Sequence, residues 1–594
     1  MSQQINPVSV KDVVLDLKSE IDYAVVRSGQ NISTQRYPAT SSSSSQHVYS
    51  LQIPSVSTIV SRNLQWGSTI AITVQGLVQP GEFLVNFEAL NQANNGVILQ
   101  NGDCLAAFPL SSLCTNLTCQ INNTSVNVQL NRVLGPILRA VDRSEFEQFN
   151  GSSPNQLDVY GDAEDALPNR TFNAAAQVLN ADYRITQYPG RNRFNSPFND
   201  YPNMNCNNAR TSRNSFPVSV DAGNTISNAA DQQKTVIITF SVVEPVFLSP
   251  FLYGESSAPG ISGSTQLNFT CNMDSLATRA INWVLSNTAG STKYVTNVAY
   301  TDAFMEATYY TPKSSDLIPA VIITPLMNLT NHQLPSQGIL AEDAVTSVTS
   351  NSIMLNSYPD KVIIWIDDTN KYDSQNGTGN QLLDVFSTIE KVDITLNNQS
   401  GILSTYSPVD LFRASVQSGS KQLFSEFRGL QNERNVYETP KLPTCGSILM
   451  LDFGTVIPIP QDYLAAGSLA TAQFQITVTF KNNNAYSVMP QLNTLMVYSG
   501  ILSTSNGSSS SYTSGVLTKQ NVLDASTSSA LTTKQLKRYV GAGWLDSLKS
   551  IAKTVLPMAK GALSGMDNKY AKLGANVLDT VGYGKKSNLL SKLY

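Results

Sequence analysis

Apolar positions along this chain come in short runs, and most keep the period of two that suits a half-buried β-strand. Val48, Tyr49, Leu51 and Ile53 open the series, and TIAITVQ at 69–75 continues it with β-branched residues. The segment TVIITFSVVEPVFLSPFLYG at 235–254 holds one of the clearest strand runs (Val236, Ile237, Ile238, Phe240, Val242 and Val243), followed by an aromatic exit punctuated by Pro245, Pro250 and Gly254. Proline removes a ladder donor and restricts the residue before it, so pairing is expected to stop at Pro245 and the chain to turn. Further strand and connection are expected over 105–113 and 119–123, and strands at 267–271, 307–311, 320–324, 361–367 (KVIIWID), 391–396, 447–451, 473–480 (QFQITVTF) and 492–498. Two stretches change period. Val133, Leu134, Ile137, Leu138 and Val141, with Phe146 and Phe149, have helical spacing despite Gly135-Pro136, and SPVDLFRASVQSG at 407–419 reads as a short helix in the corresponding part of the second half. Short strands separated by turns and seldom by helices argue against βαβ units and for an all-β chain of sandwiches or barrels.

At 594 residues the chain exceeds what one hydrophobic core spans, so at least two domains are expected. The halves share a layout without residue identity. Each has a Ser/Gly-rich opening, paired strands, a short helical piece, and a final apolar strand with a Pro-marked exit: TVIITFSVVEP in the first, QFQITVTFKNN and then Pro490 in the second. This layout places a seam in 235–254, with Pro245, Phe247, Pro250 and Phe251 as junction residues. The resulting division is an N-terminal arm (1–45), a first β domain (46–250), a second (251–502), a flexible linker (503–542) and a tail (543–594). The serine runs at 41–45 and 503–511 read as flexible tethers. Residues 149–234 are polar and rich in Pro and Gly. Arg191, Arg193, Arg210 and Arg213 lie there, too scattered for a nucleic-acid patch and better suited to contacts with a neighbouring subunit.

Charge sharpens this division. Only 14 % of residues are charged, against about a quarter in ordinary soluble proteins. A surface of neutral polar groups suits packing against copies of the same chain, because few charges need be desolvated. The net charge of -4 is uneven: from Lys534 onward ten Lys and one Arg face three Asp, a net of +8, and the remainder carries -12. In the tail Trp544, Leu548, Ile551, Val555 and Met558 recur every three or four residues, with Lys549, Lys553 and Lys560 elsewhere on the wheel and Pro557 as a kink. Such a basic amphipathic helix suits an anionic bilayer, DNA or a groove of another protein.

Candidate chemistry is sparse. Cys104, Cys114, Cys119, Cys206, Cys271 and Cys445 form no CxxC pair, and His47 and His332 are the only histidines, so a zinc site is not expected and free buried thiols are; Cys114 and Cys119 could meet across a turn. No phosphate-loop, dinucleotide, zincin or nucleophile-elbow motif occurs. Asp367-Asp368 after KVIIWI, and Asp162, Glu164 and Asp165, read as turn and loop carboxylates before metal ligands. No enzyme and no cofactor is expected. The amino terminus lacks a signal-peptide pattern, and sequons such as Asn116-Leu-Thr118 carry little weight in a chain this rich in Asn and Thr.

AAFPLSSLCTNLTCQINNTSVNVQLNRVLGPIL (106–138), EPVFLSPFLYG (244–254) and GILSTYSPVDLFRASVQSGSKQLFSEFRG (401–429) resemble the major capsid proteins of virophages and polinton-like double-stranded DNA viruses, over roughly 45–500. The resemblance implies two consecutive eight-stranded jelly rolls, homotrimers forming pseudo-hexagonal capsomers of an icosahedral shell, a penton protein at the vertices, minor capsid or cement proteins, and assembly in a cytoplasmic viral factory. In that family 244–254 corresponds to the interdomain exit and 401–429 to a connection within the second roll. It also implies a tail removed by a viral cysteine protease. Tyr539-Val540-Gly541-Ala542-Gly543 approximates the protease's site, with Tyr539 in place of an aliphatic residue, so the cut is expected between Ala542 and Gly543. The competing reading is a β-sandwich carbohydrate-binding or carbohydrate-active protein, for which Trp66, Trp283, Trp365 and Trp544 are a thin supply of stacking platforms.

Overall fold

A computed structural model describes residues 32–78, 104–105, 107–141, 149, 152–153, 219–221, 232–251, 260–275, 281–282, 293–311, 321–335, 338–369, 386–397, 399–432, 441–443, 445–459, 466–483, 487–505 and 510–514. The chain opens with β1 (Ile32–Pro38), β2 (Ser41–Ser42), β3 (Gln46–Gln52), β4 (Ile59–Ser61) and β5 (Gln65–Val78). There follow β6 (Cys104–Leu105), α1 (Pro109–Leu113), β7 (Cys114–Ile121), β8 (Thr124–Val128) and α2 (Leu130–Leu138). Next come β9 (Ser219–Asp221), β10 (Gln232–Pro245), β11 (Gly260–Ile261), β12 (Gln266–Met273), β13 (Ile281–Asn282) and β14 (Lys293–Tyr310). A second series has β15 (Val321–Gln333), β16 (Val345–Thr349), β17 (Ile353–Ser357), β18 (Lys361–Asp368), β19 (Thr388–Leu396) and β20 (Gln399–Ile402). It ends with α3 (Pro408–Gln417), α4 (Phe424–Phe427), β21 (Leu430–Asn432), β22 (Lys441–Pro443), β23 (Ile448–Asp452), β24 (Leu469–Lys481), β25 (Pro490–Ser505) and β26 (Ser510–Ser514).

The fold is all-β and its pairings are antiparallel, forming four principal sheets, two in each half of the chain. In the first half β14 carries β1 and β5, and β5 carries β10; facing them is a sheet ordered β2-β3-β12-β7-β8. In the second half the order is β15-β25-β18-β23, faced by a sheet in which β24 carries β16 and β17 and then β19 and β20. The same strand order therefore occurs twice: β1-β14-β5-β10 matches β15-β25-β18-β23, and β3-β12-β7-β8 matches β16/β17-β24-β19-β20.

This pairing moves the expected seam. β12 and β14, both beyond residue 250, pair with β3, β7, β5 and β1, so the first half runs on to Tyr310 and the crossing to the second lies between 310 and 321. QFQITVTF, in β24, is the counterpart of β12; the counterpart of β10 is β23. The expected strands at 48–53, 69–75, 361–367 and 492–498 are all present, as are the helices within 130–138 and 408–417. At 105–113 a short helix takes most of the expected strand, because Pro109 presets the first helical turn behind Phe108, whose φ is 49°. Cys114 and Cys119 sit on one strand, β7, and do not meet across a turn.

Both serine runs expected to be flexible are partly built into sheets. Ser41 and Ser42 pair with Val48 and His47, and the Ser43 hydroxyl bonds Gln46 N–H and C=O at 3.0 and 3.2 Å. β25 continues to Ser505 and folds back as β26, so 503–505 and 510–514 are strand. Serine cannot supply an apolar core, but its backbone can join a strand ladder and its hydroxyl can bond nearby backbone groups, exposed at Ser43 and buried at Ser510.

In β18, KVIIWIDD, every residue after Lys361 is buried. Val362, Ile364 and Ile366 join Leu449, Leu451, Leu492 and Met496 in the core of the second half. Ile363 and Trp365 point the other way, with Ile448, Met450, Leu495 and Val497, into a core continuous with that of the first half. The continuous apolar run follows from burial on both faces, as in any fully covered strand.

Candidate interface between the two halves

From the first half, α2 and the residue that ends it bond to the second half through Arg132 and Arg139. Leu130, Val133, Leu134, Ile137 and Leu138 are buried at the i, i+3, i+4, i+7 and i+8 positions of one helix. Pro136 lies inside this helix, and the chain leaves it three residues later at Arg139. The Arg139 side chain is 2 % exposed. Its Nε donates to Glu426 Oε1 at 3.2 Å, its Nη1 to the Gly135 carbonyl at 3.3 Å and its Nη2 to Cys445 Sγ at 3.4 Å. Its carbonyl accepts from Lys421 N–H at 2.7 Å. Two of these partners belong to α4 and to the segment entering β23, so one buried guanidinium bridges the two halves. Beside it Gln422 donates to the Gly446 carbonyl at 3.0 Å and accepts from Ile448 N–H at 3.1 Å. Gly446 has φ +99°, and a Cβ there would lie 2.0 Å from the Phe386 carbonyl oxygen. Arg132 Nη1 reaches Gln491 of β25 at 3.4 Å.

The β25–β26 hairpin is a second point of contact. Ser510 Oγ donates to the Ile121 carbonyl at 2.6 Å and lies 2.8 Å from Thr124 Oγ1, and Ser510 N–H donates to Asn123 Oδ1 at 2.6 Å. Thr504 Oγ1 donates to the Ser262 carbonyl at 2.6 Å. The hairpin thus closes over the β7–β8 turn of the first half.

Pro245, Phe247, Pro250 and Phe251, expected at the junction, are all buried and belong to the first half. Phe247 packs edge-on against Phe108 at 5.1 Å and Phe251 lies 5.8 Å from Phe269. They belong to the buried core, and the segment touches the second half where Met327 N–H of β15 donates to Ser249 Oγ at 2.8 Å. The tail residues Trp544, Leu548, Ile551, Val555 and Met558, and the expected cut at Ala542–Gly543, lie outside the described residues.

Two buried polar groups gave little sign of themselves in the sequence. Glu244, fully buried at the end of β10, accepts from Leu110 N–H at 2.9 Å, Ser111 N–H at 2.8 Å, Ser111 Oγ at 2.6 Å and Ser153 Oγ at 3.2 Å. Burial pushes its carboxyl up to about 7, against the pull of these donors. The one available signal was a lone acid within an apolar strand run. His47 is buried against Tyr300 at 4.6 Å, its Nδ1 is 2.9 Å from Ser42 Oγ, and burial lowers its pKa to about 4. Asp367 and Asp368 are structural: Asp368 Oδ1 accepts from Met489 N–H at 2.9 Å and Asp367 Oδ1 from Asp368 N–H at 3.1 Å. Cys114, Cys119, Cys271 and Cys445 are free and buried, and burial raises the Cys119 and Cys271 thiols. Among the described residues no group of three or more His, Cys, Asp or Glu is placed to hold a metal, and no helix is long and apolar enough to cross a membrane.

Residues 3–314 match the family model of the Sputnik virophage major capsid protein 1st domain, and 329–500 match that of the major capsid protein V20 C-terminal domain. The gap between these matches, 315–328, overlaps the crossing seen in the strand pairing. Over 622 aligned positions the chain is 27 % identical to capsid protein V20 of Sputnik virophage, covering 98 % of this chain and 94 % of that one. The cryo-EM structure of the Sputnik virophage is similar with a TM-score of 0.68 at 25 % identity, over 91 % of this chain and 99 % of that one. The crystal structure of the mavirus major capsid protein shares the fold, with a TM-score of 0.60 at 12 % identity over 90 % and 96 % of the two chains.

Proposed function

The chain belongs to the Sputnik virophage major capsid protein family, and from that premise we propose that three copies form a pseudo-hexagonal capsomer of an icosahedral shell around double-stranded DNA. Its role is structural and its place is the virion. The observation that carries the proposal is the strand order that recurs in the two halves: each supplies a pair of four-stranded sheets in one sequence of neighbours, which supports reading them as two eight-stranded jelly rolls, one from β1 to β14 and one from β15 to β25. Two like bodies fixed side by side give a threefold object six similar positions on its perimeter, and such an object tiles a shell. The buried Arg139 and the β26 clasp support this reading, because they hold the two bodies in one relative placement.

The shell in turn implies a penton protein at the fivefold positions and minor capsid or cement proteins between capsomers. Assembly in a cytoplasmic viral factory agrees with four free buried thiols among the described residues. Arg191, Arg193, Arg210 and Arg213, in the polar stretch 149–234, are proposed to contact neighbours. The tail beyond 542 is proposed to contact an anionic membrane or DNA before a viral cysteine protease removes it. Electron microscopy of the purified protein tests the central claim. Threefold particles with six lobes are expected, and monomers at every concentration would overturn it.

A further inference from the structure

Phe149, Ser152 and Ser153 make a turn against the end of β10. Ser152 and Ser153 N–H donate to the Phe149 carbonyl at 3.0 and 3.1 Å, and Val243 N–H of β10 donates to the Ser152 carbonyl at 2.8 Å. The Phe149 ring stands edge-on to Phe108 at 6.0 Å. A further tie is the buried Ser153 hydroxyl, which donates to Glu244 Oε1 at 3.2 Å.

The same carboxyl holds α1 through Leu110 N–H, Ser111 N–H and Ser111 Oγ, and lies in β10 opposite Trp66 of β5. Each of these contacts comes from a donor, but no cation stands beside the group. The charged or titratable groups on the surrounding elements are Arg62 ahead of β5, Cys114 and Asp274 at the far end of α1, and Arg132 and Arg139 of the helix packed on α1. None of them shifts the titration of Glu244, which burial alone raises to about 7. A charge developing there costs desolvation that four donors only partly offset, and admitting water relieves it.

The turn is the part that can let water in. β10 is fixed by its ladder to β5, and α1 by Ser112, whose N–H bonds the Phe108 carbonyl at 2.8 Å and whose Oγ bonds the Ala107 carbonyl at 3.0 Å. Moving either disrupts a sheet or a helix. Moving the turn breaks the Val243–Ser152 and Ser153–Glu244 bonds and hydrates the carboxylate, a local opening of the kind that costs less than unfolding the body.

We propose that Glu244 is a proton-operated latch: its ionisation releases the turn of Phe149, Ser152 and Ser153 from the end of β10, and its protonation closes the turn again. With the turn closed the carboxyl keeps its proton up to about 7, and once hydrated it loses it at the ordinary 4.5. Opening is therefore favoured progressively as pH rises between these values and levels off above the upper one. Acid tightens this body, the reverse of a device that loosens a protein on acidification. The latch belongs to a single chain and does not depend on the oligomer.

Hydrogen exchange of the full chain from pH 5 to pH 8, resolved to single amides by fragmentation and corrected for intrinsic exchange, reads the latch at Val243 N–H. Its protection is expected to fall at least about tenfold across that range, the linkage of one proton, while Val478 N–H in β24 keeps its protection. Glu244→Gln is expected to remove the pH dependence at Val243. A flat wild-type profile, an equal fall at Val478, or an unchanged slope in folded Glu244→Gln would each overturn the inference. If Glu244→Gln does not fold, Ser153→Ala decides at pH 5. A loss of Val243 protection of roughly fivefold, the worth of one hydrogen bond, supports the latch, and unaltered protection rules it out.

Discussion

Arg139 and Glu426, 287 residues apart, meet at 3.2 Å across the boundary between the halves, with the arginine 2 % and the glutamate 19 % exposed. Removing one partner of a buried pair leaves the other uncompensated. Arg139→Ala is expected to cost about 3 kcal/mol, the lower part of the range for broken buried pairs because Glu426 retains some water. Arg139→Met, which keeps the volume, is expected to cost less. Denaturant unfolding of both variants measures the difference, and equal losses would show that packing outweighs charge here.

Glu244 sets a pH dependence. Burial raises its carboxyl to about 7 in the folded protein from an ordinary value of 4.5, so between these values the folded chain holds a proton that the unfolded chain has released. The stability this provides is fully present below 4.5 and is lost as pH rises through 7. Its bonded neighbours are Leu110, Ser111 and Ser153, none of them charged. The contribution is expected to fall by up to about 1.4 kcal/mol per pH unit across that window. Glu244→Gln should be less stable at pH 5 and show a flatter profile from pH 5 to 7.5. An unchanged slope in unfolding free energy would assign the profile to other groups.

Gly446→Ala is expected to be among the most damaging single substitutions. Its φ of +99° is one that side chains rarely adopt, and the added carbon would collide with the Phe386 backbone. Gly338, at φ +122° with nothing within 4 Å, isolates the backbone term. Gly338→Ala should cost roughly 1–2 kcal/mol and Gly446→Ala more than about 4 kcal/mol, read as soluble yield and unfolding midpoint.

Ser510→Val removes a hydroxyl that serves Ile121 and Thr124. The expected loss is about 1–3 kcal/mol, the cost of leaving a buried acceptor unmet. Hydrogen exchange should show faster opening of β26 and of the β7–β8 turn together. Faster opening of β26 alone would mean that the hairpin does not clasp the first half.

Mature particles are expected to contain a chain ending at Ala542, with the peptide from Gly543 onward released. Intact-mass measurement of particle-associated protein checks this, and a mass that includes 543–594 would refute the cut.

Much of the fold was legible as local pattern. KVIIWID announced a strand, which the structure buries on both faces, and SPVDLFRASVQ a helix, which the structure caps with a reciprocal box between Ser407 and Asp410. The seam was not legible in the same way. β10 carries a strong apolar run and a proline exit, but its partner β5 lies far upstream, and the strands that complete the first half come after it. Nothing local distinguishes the last strand of a body from one in its middle. The second serine run misled for a related reason, since Ser510 is held by acceptors nearly 400 residues away. Arg139 and Glu244 escaped notice because a single charge beside an apolar run usually lies at the surface; only tertiary partners show that these two are buried.

The sheet containing β18 gives alternate side chains to two cores: Ile363 and Trp365 to one, Val362, Ile364 and Ile366 to the other. It is a party wall. A change made to furnish one room is felt in the other, so neither half can drift in sequence or melt by itself without disturbing its neighbour. Variation that alters a particle's outer appearance has to be written into the loops at the strand ends, because this wall has no outside left to decorate.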